Sequence, residues 1–342
     1  MSKKLSHNYA LLIGVGECTY SNWSLPVTVK DIQAIKYLLV DPNLCGYIDD
    51  DEHLRLLHDK NATGQAILDS LNWLKQQAEN DSETTILIYY SGHGWLDEST
   101  GKYYLIPHDI KPFNLPNSAL PAEKFNDALR QIQAKRLLVI IDSCHAGGMA
   151  TAKDEKTEIE LPNNFVQKAL PDNLIDELKK GEGRAVFTSS KGDQKSWIRS
   201  DGKLSIYTYH LLEALQGAGN QPGDEVVKVS NLMNYVSETV PKSTKQEYQK
   251  EQTPFYKFAA EDFPVALLRG GKGLPKEGLE GVKSEAQEKI QNINIEVTDS
   301  IIVNGDRNKV AQGNNNIQFD EAGDVSITQN YSNKDELTEK EK

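Results

Sequence analysis

The chain has 342 residues, 38% of them hydrophobic, and a formal net charge of −12 at pH 7. This length allows one well-buried core with an appended segment. The acidic balance argues against nucleic-acid binding through a basic face, because such binding needs clustered lysines and arginines to neutralise phosphates.

Short apolar runs alternate with amphipathic segments over the first 260 residues or so. Strands are predicted at 9–15, 54–57, 85–90, 103–106, 137–141, 185–189 and 253–258. Helices are predicted at 29–40, 63–78, 122–132, 206–215 and 232–239, with Thr63 as the N-cap of the second. This alternation predicts an α/β fold with a mostly parallel central sheet of about six strands, flanked by helices on both faces.

Composition shifts divide the chain into segments. Residues 150–183 are rich in Lys, Glu and Asp, so we expect a long exposed loop within a domain spanning 1–265. Glycines and charges over 266–290 predict a linker. Residues 291–331 are rich in Asn and Gly. Their strand-like alternation at 293–297 and 325–327 favours a small C-terminal β module over a disordered polar tail. The last residues, 332–342, are expected to be disordered.

The three cysteines are Cys18, Cys45 and Cys144, too few and too scattered for a disulfide framework or a zinc site. The apolar run near the N-terminus is too short to span a membrane, and no signal-peptide cleavage site follows it. We therefore expect a cytoplasmic, soluble protein without membrane contact. In that reducing compartment a lone thiol can be kept for chemistry.

Two of the buried strands end in chemically unusual residues. The strand at 85–90 runs into SGHG, and the strand at 137–141 runs into DSCH. Neighbouring parallel strands end at one edge of a sheet, so His93 and Cys144 are expected to face one cleft. A thiol is nucleophilic as the thiolate, and an imidazole can serve as its base. His145 is adjacent to Cys144, but consecutive side chains on an extended chain point apart.

A simpler interpretation competes with this one, since a lone cysteine at a strand end is more often a small buried hydrophobic residue. The paired motifs favour the catalytic interpretation. Gly94 has no side chain, so its backbone N–H and that of Cys144 are candidate oxyanion-hole donors.

Asp142 precedes Cys144 by two positions, which places both side chains on one face of a strand. A carboxylate there raises the pKa of the thiol unless a cation offsets it. A substrate Arg or Lys before the scissile bond supplies that cation. The residues therefore favour a substrate with a basic side chain, with Arg preferred because it can bind carboxylates through two parallel hydrogen bonds.

The segments YYSGHG (89–94) and DSCHAGG (142–148) resemble the caspase-fold cysteine peptidases, specifically the metacaspase-like and bacterial branch. That branch usually has DSCHSG, so Ala146 is a mild departure. The resemblance covers about residues 8–260 and implies a caspase-like fold and endopeptidase activity. It also implies a dyad of His93 and Cys144 at the separation typical of caspases.

The resemblance further implies a substrate pocket for the basic side chain, in which Asp31 and Ser91 join Asp142. The alternative for Asp31 is an exposed acid in the first turn of a helix, stabilised by the helix dipole.

Many metacaspases need Ca²⁺, which requires several oxygen ligands. Here the corresponding segment offers Asp109 without a following acid pair, and residues 149–152 contain no acid. We therefore expect no metal and no cofactor, with calcium dependence excluded.

Self-cleavage within the loop at 150–183 is chemically possible, with a merely mobile loop as the alternative. Its candidate sites are Lys153, Lys156, Lys168, Lys179 and Lys180.

The sequence thus predicts a regulated bacterial caspase-like effector, in defence or cell death, that cleaves peptides or proteins after Arg, then Lys. A partner protein or a small signal molecule would activate it through the C-terminal module. One alternative is an esterase or transferase that uses the same dyad. Another is a catalytically weak caspase-like scaffold whose C-terminal module mediates oligomerisation or ligand sensing. A passive tail is the simplest alternative for that module.

Overall fold

The computed structural model describes residues 5–143, 145, 160–181, 183–258, 262–298, 316–319 and 325–328. The chain forms two compact units, one ending at Asn294 and the other beginning at Ile295. Cys144, the predicted nucleophile, lies outside the described residues, as do Lys153, Lys156 and the tail at 332–342.

The elements of the described residues follow one another as short strands and longer helices. The strands are β1 (Asn8–Gly14), β2 (Leu54–His58), β3 (Thr85–Ser91), β4 (Gly94–Asp97), β5 (Lys102–Leu105), β6 (Leu120–Pro121), β7 (Arg136–Asp142), β8 (Phe165–Gln167), β9 (Arg184–Thr188), β10 (Val226–Lys228), β11 (Phe255–Phe258), β12 (Pro264–Leu267), β13 (Asn316–Phe319) and β14 (Val325–Thr328). The helices are α1 (Val27–Val40), α2 (Gly64–Asn80), α3 (Leu115–Ser118), α4 (Ala122–Arg130), α5 (Asp172–Lys179), α6 (Ile206–Leu215), α7 (Val229–Tyr248) and α8 (Lys283–Thr298).

A six-stranded sheet with the order β11-β9-β7-β3-β1-β2 forms the centre of the first unit. The adjacent strands β2 and β1, β1 and β3, β3 and β7, and β7 and β9 are parallel to each other. The edge strand β11 is antiparallel to β9. This confirms the predicted mostly parallel sheet of six strands. Every residue of β1 and β3 is buried, as expected for strands covered on both faces.

Helices cover both faces of this sheet. On one face, Leu11 and Ile13 of β1 share a core with Ile67 and Leu71 of α2. On the other face, α1 contacts β1, β3 and α6. The hydroxyl of Thr63 accepts a hydrogen bond from the backbone N–H of Ala66 at 3.1 Å, which confirms the predicted N-cap of α2.

The second half of the predicted exposed loop is folded instead. It contains β8 and α5, and the latter buries Leu174, Ile175 and Leu178 against the core. These three residues lie on one side of α5 because they are spaced one and four positions apart. β8 extends an antiparallel sheet with the order β6-β5-β4-β8.

The stretch expected to be a linker, 266–290, is also structured. It begins within β12, which pairs with β10, and it buries Leu274. It continues into α8, whose Ile290 and Ile293 are both buried. The strand predicted at 293–297 is therefore wrong. An apolar spacing of three positions places both isoleucines on one helix face.

The second unit contains an antiparallel pair, β13 and β14, with Ile317 opposite Ile327. These strands agree with the strand expected at 325–327, while most of the predicted β module lies outside the described residues. In the part of the chain that the structure describes, no helix has the length and apolar character needed to cross a membrane.

Candidate active site

His93 lies between β3 and β4, at the edge of the sheet where the parallel strands end. Its side chain is 2% exposed, and its ring centroid lies 5.7 Å from that of Trp95. Neither ring nitrogen has a hydrogen-bond partner among the described residues. The imidazole is thus held mainly by packing.

Burial, together with the positive charge of His145, lowers the pKa of His93 to about 3, with the carbonyl of Trp23 acting in the opposite direction. His93 is therefore a neutral imidazole at physiological pH. A neutral imidazole is the form that accepts a proton from a thiol.

The residues on either side of Cys144 lie close to the segment that carries His93. The hydroxyl of Ser143 hydrogen-bonds with that of Tyr103 at 3.1 Å, and Nδ1 of His145 lies 3.3 Å from the backbone oxygen of Gly92. The two motifs identified in the sequence therefore meet in space through the described neighbours of Cys144.

Gly94 is packed tightly in this region. A Cβ atom at this position would overlap the hydroxyl of Tyr103 and lie 3.1 Å from Cβ of Ser143. Tyr103 is fixed in turn, since its hydroxyl donates to the backbone oxygen of Lys168 at 2.9 Å. The proposed oxyanion role of Gly94 stays a prediction, because the second donor belongs to Cys144.

Asp31, Ser91 and Asp142, predicted from separate parts of the sequence, come together in the structure as what we call the acid pocket. All three are fully buried. Ser91 lies opposite Asp142 in the register of β3 and β7, and its hydroxyl donates to Oδ2 of Asp31 at 3.2 Å. The alternative of an exposed first-turn acid at Asp31 is wrong.

Asp142 is held as a carboxylate. Its oxygens accept hydrogen bonds from the hydroxyls of Ser196 and Ser205, both at 2.7 Å, and from that of Tyr89 at 3.3 Å. Burial alone would raise its pKa, but the charge of His145 and the hydrogen bonds outweigh burial and hold the pKa at about 2.

Asp31 differs from Asp142 in its proton affinity. Burial, together with repulsion from Asp142, raises the pKa of Asp31 to about 7, although the backbone N–H of Ser205 donates to Oδ1 at 3.0 Å. Two buried carboxylates in one pocket do not ionise with equal ease. Near neutral pH the pocket therefore carries one firmly ionised acid and one that is partly protonated.

His145 also reaches this pocket, which the sequence analysis did not anticipate. Its side chain is fully buried, and Nε2 lies 3.6 Å from Oδ2 of Asp142. Burial lowers the pKa of His145, but the charges of Asp142 and Asp31 outweigh burial, so its pKa is raised above the usual value. The sequence pattern gave no signal for this contact, because positions three apart on an extended chain lie on opposite faces.

Ser196, Ser205 and Tyr89 were missed as well. Tyr89 precedes Ser91 by two positions on β3, so strand alternation was a sufficient signal for it. Ser196 lies in the segment after β9, and Ser205 caps α6 by accepting from the backbone N–H of Thr208. Only the fold brings these two serines to Asp142.

One group of possible metal ligands occurs in the described ranges: Asp31, Asp142 and His145, whose ligand atoms lie within 4.8 Å of one another. Hydroxyl and backbone donors already satisfy its carboxylate oxygens, and its single nitrogen makes it unlike an oxygen-only calcium site. Asp109 accepts from the backbone N–H of Gly64 at 3.0 Å, at the first residue of α2. The expectation of no cofactor stays a prediction.

Three of the lysines predicted as self-cleavage sites, Lys168, Lys179 and Lys180, lie in the part of the chain that the structure describes. Lys168 forms ion pairs with Glu98 at 3.7 Å and Asp193 at 3.4 Å. Lys179 is the last residue of α5, and the exposed Lys180 follows it and pairs with Glu177. Self-cleavage itself stays a prediction.

Comparisons with known proteins identify the family. The family model described as the caspase domain, Peptidase_C14, matches residues 7–263, which is more than half of the chain. A comparison with curated proteins finds no match.

Two solved structures resemble this chain at low sequence identity. Protein GSU0716 from Geobacter sulfurreducens has a TM-score of 0.48 and 14% identity, covering 76% of this chain and 99% of its own. Caspase-1 from Spodoptera frugiperda has a TM-score of 0.46 and 17% identity, covering 80% of this chain and 93% of its own. On the extent of the family match, the chain belongs to the caspase-domain family of cysteine peptidases.

Proposed function

We propose that the chain is an endopeptidase that cleaves after Arg, and less rapidly after Lys, with Cys144 as nucleophile and His93 as its base. The observation that carries this proposal is the acid pocket. Two buried carboxylates, Asp31 and Asp142, lie beside the segment of His93 with a hydroxyl, Ser91, between them. Buried acids of this kind suit a cationic side chain, since an apolar or acidic one would leave their charge uncompensated.

The proposed reaction follows the chemistry of a thiol–imidazole dyad. His93 takes the proton of the Cys144 thiol, and the thiolate sulfur attacks the carbonyl carbon of the scissile bond. The protonated imidazole then gives this proton to the leaving amine as the C–N bond breaks. Water hydrolyses the resulting thioester, with His93 again accepting a proton. The backbone N–H groups of Gly94 and Cys144 would stabilise the oxyanion in both steps.

The pKa of His93, about 3, keeps the imidazole neutral near pH 7 but makes it a weak base for a thiol while the pocket is closed. A protonated imidazole is costly in this buried setting, so the ion pair of thiolate and imidazolium is disfavoured in the closed pocket. Binding of a basic side chain would also favour the ionised form of Asp31. Substrate binding near neutral pH should therefore release part of one proton.

A panel of fluorogenic peptides that differ only in the residue before the scissile bond tests the proposal. We expect kcat/KM to be highest for Arg, lower for Lys, and at least 100-fold lower for Asp. The Cys144→Ala protein is the control and should be inactive while retaining its fold. Faster cleavage after Asp than after Arg would refute the basic specificity, and faster turnover of esters with no peptidase activity would favour the esterase alternative.

We further propose that the peptidase is a restrained bacterial effector in defence or cell death, released by a protein partner or a small signal molecule that acts through the residues after α8. Support comes from the closed acid pocket, whose members Asp31, Ser91 and Asp142 have no exposed surface. A constitutive peptidase for basic residues would damage its host. The rival proposal is a catalytically weak scaffold, for which the peptide panel would give no turnover under any condition.

A further inference from the structure

We propose that His145 is the internal occupant of the acid pocket, and that the basic side chain of a substrate must displace it. His145 would then determine how tightly a basic residue binds. This inference rests on the proposed function and names the residue that controls access to the same site.

The position of the ring is the first argument. His145 lies with Nε2 3.6 Å from Oδ2 of Asp142 and Nδ1 3.3 Å from the backbone oxygen of Gly92. Its side chain has no exposed surface, nor has that of Asp142 or Asp31. The imidazole therefore occupies space next to the carboxylate that a guanidinium or ammonium group would need.

Charge is the second argument. The groups that face His145 are Asp142 on β7, Asp31 on α1 and His93 after β3, with Tyr89 beside Asp142. Burial raises the pKa of Tyr89 well above its usual value, so this phenol is neutral. His93 is neutral as well. The imidazolium of His145 thus supplies the positive charge that stabilises both acids, and its charge lowers the pKa of each.

A substrate cation that entered with His145 in place would put two positive groups beside one firmly ionised carboxylate. Repulsion between like charges at short range in a buried site is strongly unfavourable. Displacement avoids this repulsion, because the substrate cation takes over the role of the imidazolium. A neutral side chain cannot take over that role, so its entry would leave Asp142 without a counter-ion.

The first test measures the binding of a ligand to an inactive variant, in the absence of catalysis. In the Cys144→Ala protein, benzamidine serves as a small cationic probe, and its affinity is measured by calorimetry near pH 7. We expect Cys144→Ala with His145→Gln to bind benzamidine at least tenfold more tightly than Cys144→Ala alone. The matched control is His210→Gln in the same background, because His210 is also a buried histidine paired with an acid, Glu213 at 2.7 Å. It should leave the affinity unchanged.

The second test measures the pKa of His145 directly and needs no substitution at this position. Nitrogen NMR of the imidazole rings in the Cys144→Ala protein follows the pKa of His145 with and without saturating benzamidine. We expect a raised pKa in the free protein and a return towards the usual histidine value when the probe binds. A His145 pKa that stays raised in the complex, with equal affinities for both proteins, would overturn the displacement and leave the basic specificity standing.

The outcomes separate the two proposals. If benzamidine binds neither protein, the proposed basic specificity fails, and the inference about His145 fails with it.

Kinetics with the active enzyme add a further check, using peptides with Arg or citrulline, its neutral isostere, before the scissile bond. His145→Gln should lower KM for the Arg and citrulline peptides by a similar factor, at least several-fold, with little change in kcat, because either side chain must displace the imidazole. An unchanged KM for the Arg peptide would count against the inference.

Discussion

Ser91 of β3 lies opposite Asp142 of β7 in a parallel register, and the backbone N–H of Gly92 donates to the Asp142 carbonyl at 3.2 Å. This pairing joins the two sequence motifs at one edge of the sheet. It brings a hydroxyl to the side of a buried carboxylate and continues directly into the segment that carries His93. The chemistry of the proposed site depends on this register, because a shift of one residue would turn the side chains to the opposite face.

Asp142→Asn should abolish the preference for Arg. Removing the charge leaves a basic substrate without its main partner, so we expect kcat/KM for the Arg peptide to fall at least 100-fold. Breaking a buried pair by neutralising one member typically costs about 3–5 kcal/mol, so the midpoint of thermal unfolding should fall as well. Asp109→Asn is the matched control. It should weaken the cap of α2 and leave the preference for Arg intact, and a loss of that preference in the control would undermine the assignment.

Asp31 should make stability depend on pH with a definite sign. Its pKa is about 7 in the folded chain, against 3.8 as the usual value. Between these limits the folded state holds more protons than the unfolded state, so the Asp31 contribution to the free energy of unfolding falls as pH rises. The Asp31→Asn substitution removes the titrating carboxyl group and with it this fall in the free energy of unfolding.

The measurement for Asp31 is urea denaturation of wild type and Asp31→Asn at several pH values. The difference in their free energies of unfolding should shift in favour of the variant between about pH 4 and pH 7, by up to roughly 1.4 kcal/mol per pH unit. Asp142 has the opposite sign, because its pKa of about 2 gives stability that is lost as pH falls through that value. A pH-independent difference for Asp31→Asn would contradict the raised pKa.

Gly94→Ala should impair the site more than its small size suggests, since the added methyl group would overlap the hydroxyl of Tyr103. We expect kcat to fall at least tenfold, measured with the Arg peptide. The matched control is Gly64→Ala, where the nearest atom to a new Cβ is 3.7 Å away. Combining Gly94→Ala with Tyr103→Phe should restore part of the activity, and a complete lack of recovery would show that the overlap is not the cause.

Truncation should distinguish the packed part of the C-terminal region from the rest. Leu274, Ile290 and Ile293 are buried, so ending the chain at residue 269 exposes the surface that they cover. Each such side chain contributes about 1.5–3 kcal/mol, which makes a loss of order 5 kcal/mol. A chain ending at residue 298 keeps them and should unfold at the wild-type temperature.

The same shorter chain, ending at residue 298, tests regulation. If the removed residues receive the activating signal, its basal activity should persist while activation by cell extract is lost. Equal activation of the full-length and shortened chains would indicate a passive tail.

Self-cleavage should avoid Lys179. This residue ends α5, next to the buried Leu178, and a peptidase cleft of this type takes an extended chain. Incubating active protein beside Cys144→Ala, followed by mass spectrometry of the fragments, identifies the cleaved bonds. We expect cuts that depend on Cys144 and none after Lys179. Fragments present in both samples would indicate a contaminating peptidase.

The sequence by itself determined the elements whose signal is local. Apolar runs predicted the six strands of the central sheet and β5, the hydroxyl of Thr63 predicted a helix start, and the two strand ends predicted that SGHG and DSCH would meet. These features depend on neighbours along the chain, which periodicity and residue type report directly. The same local rules failed at 293–297, where an alternating pattern is helical and Ile293 is buried together with Ile290, three positions before it.

Only the tertiary structure decided the environment of the pocket. Ser205 reaches Asp31 across 174 positions of the chain, Ser196 reaches Asp142 across 54, and His145 is placed beside Asp142 rather than away from it. Burial and the convergence of charges set the pKa values of these groups, and both depend on which distant elements pack together. For this reason the sequence was sufficient to predict the two acids of the pocket, whereas the tertiary structure was needed to identify His145 as its occupant.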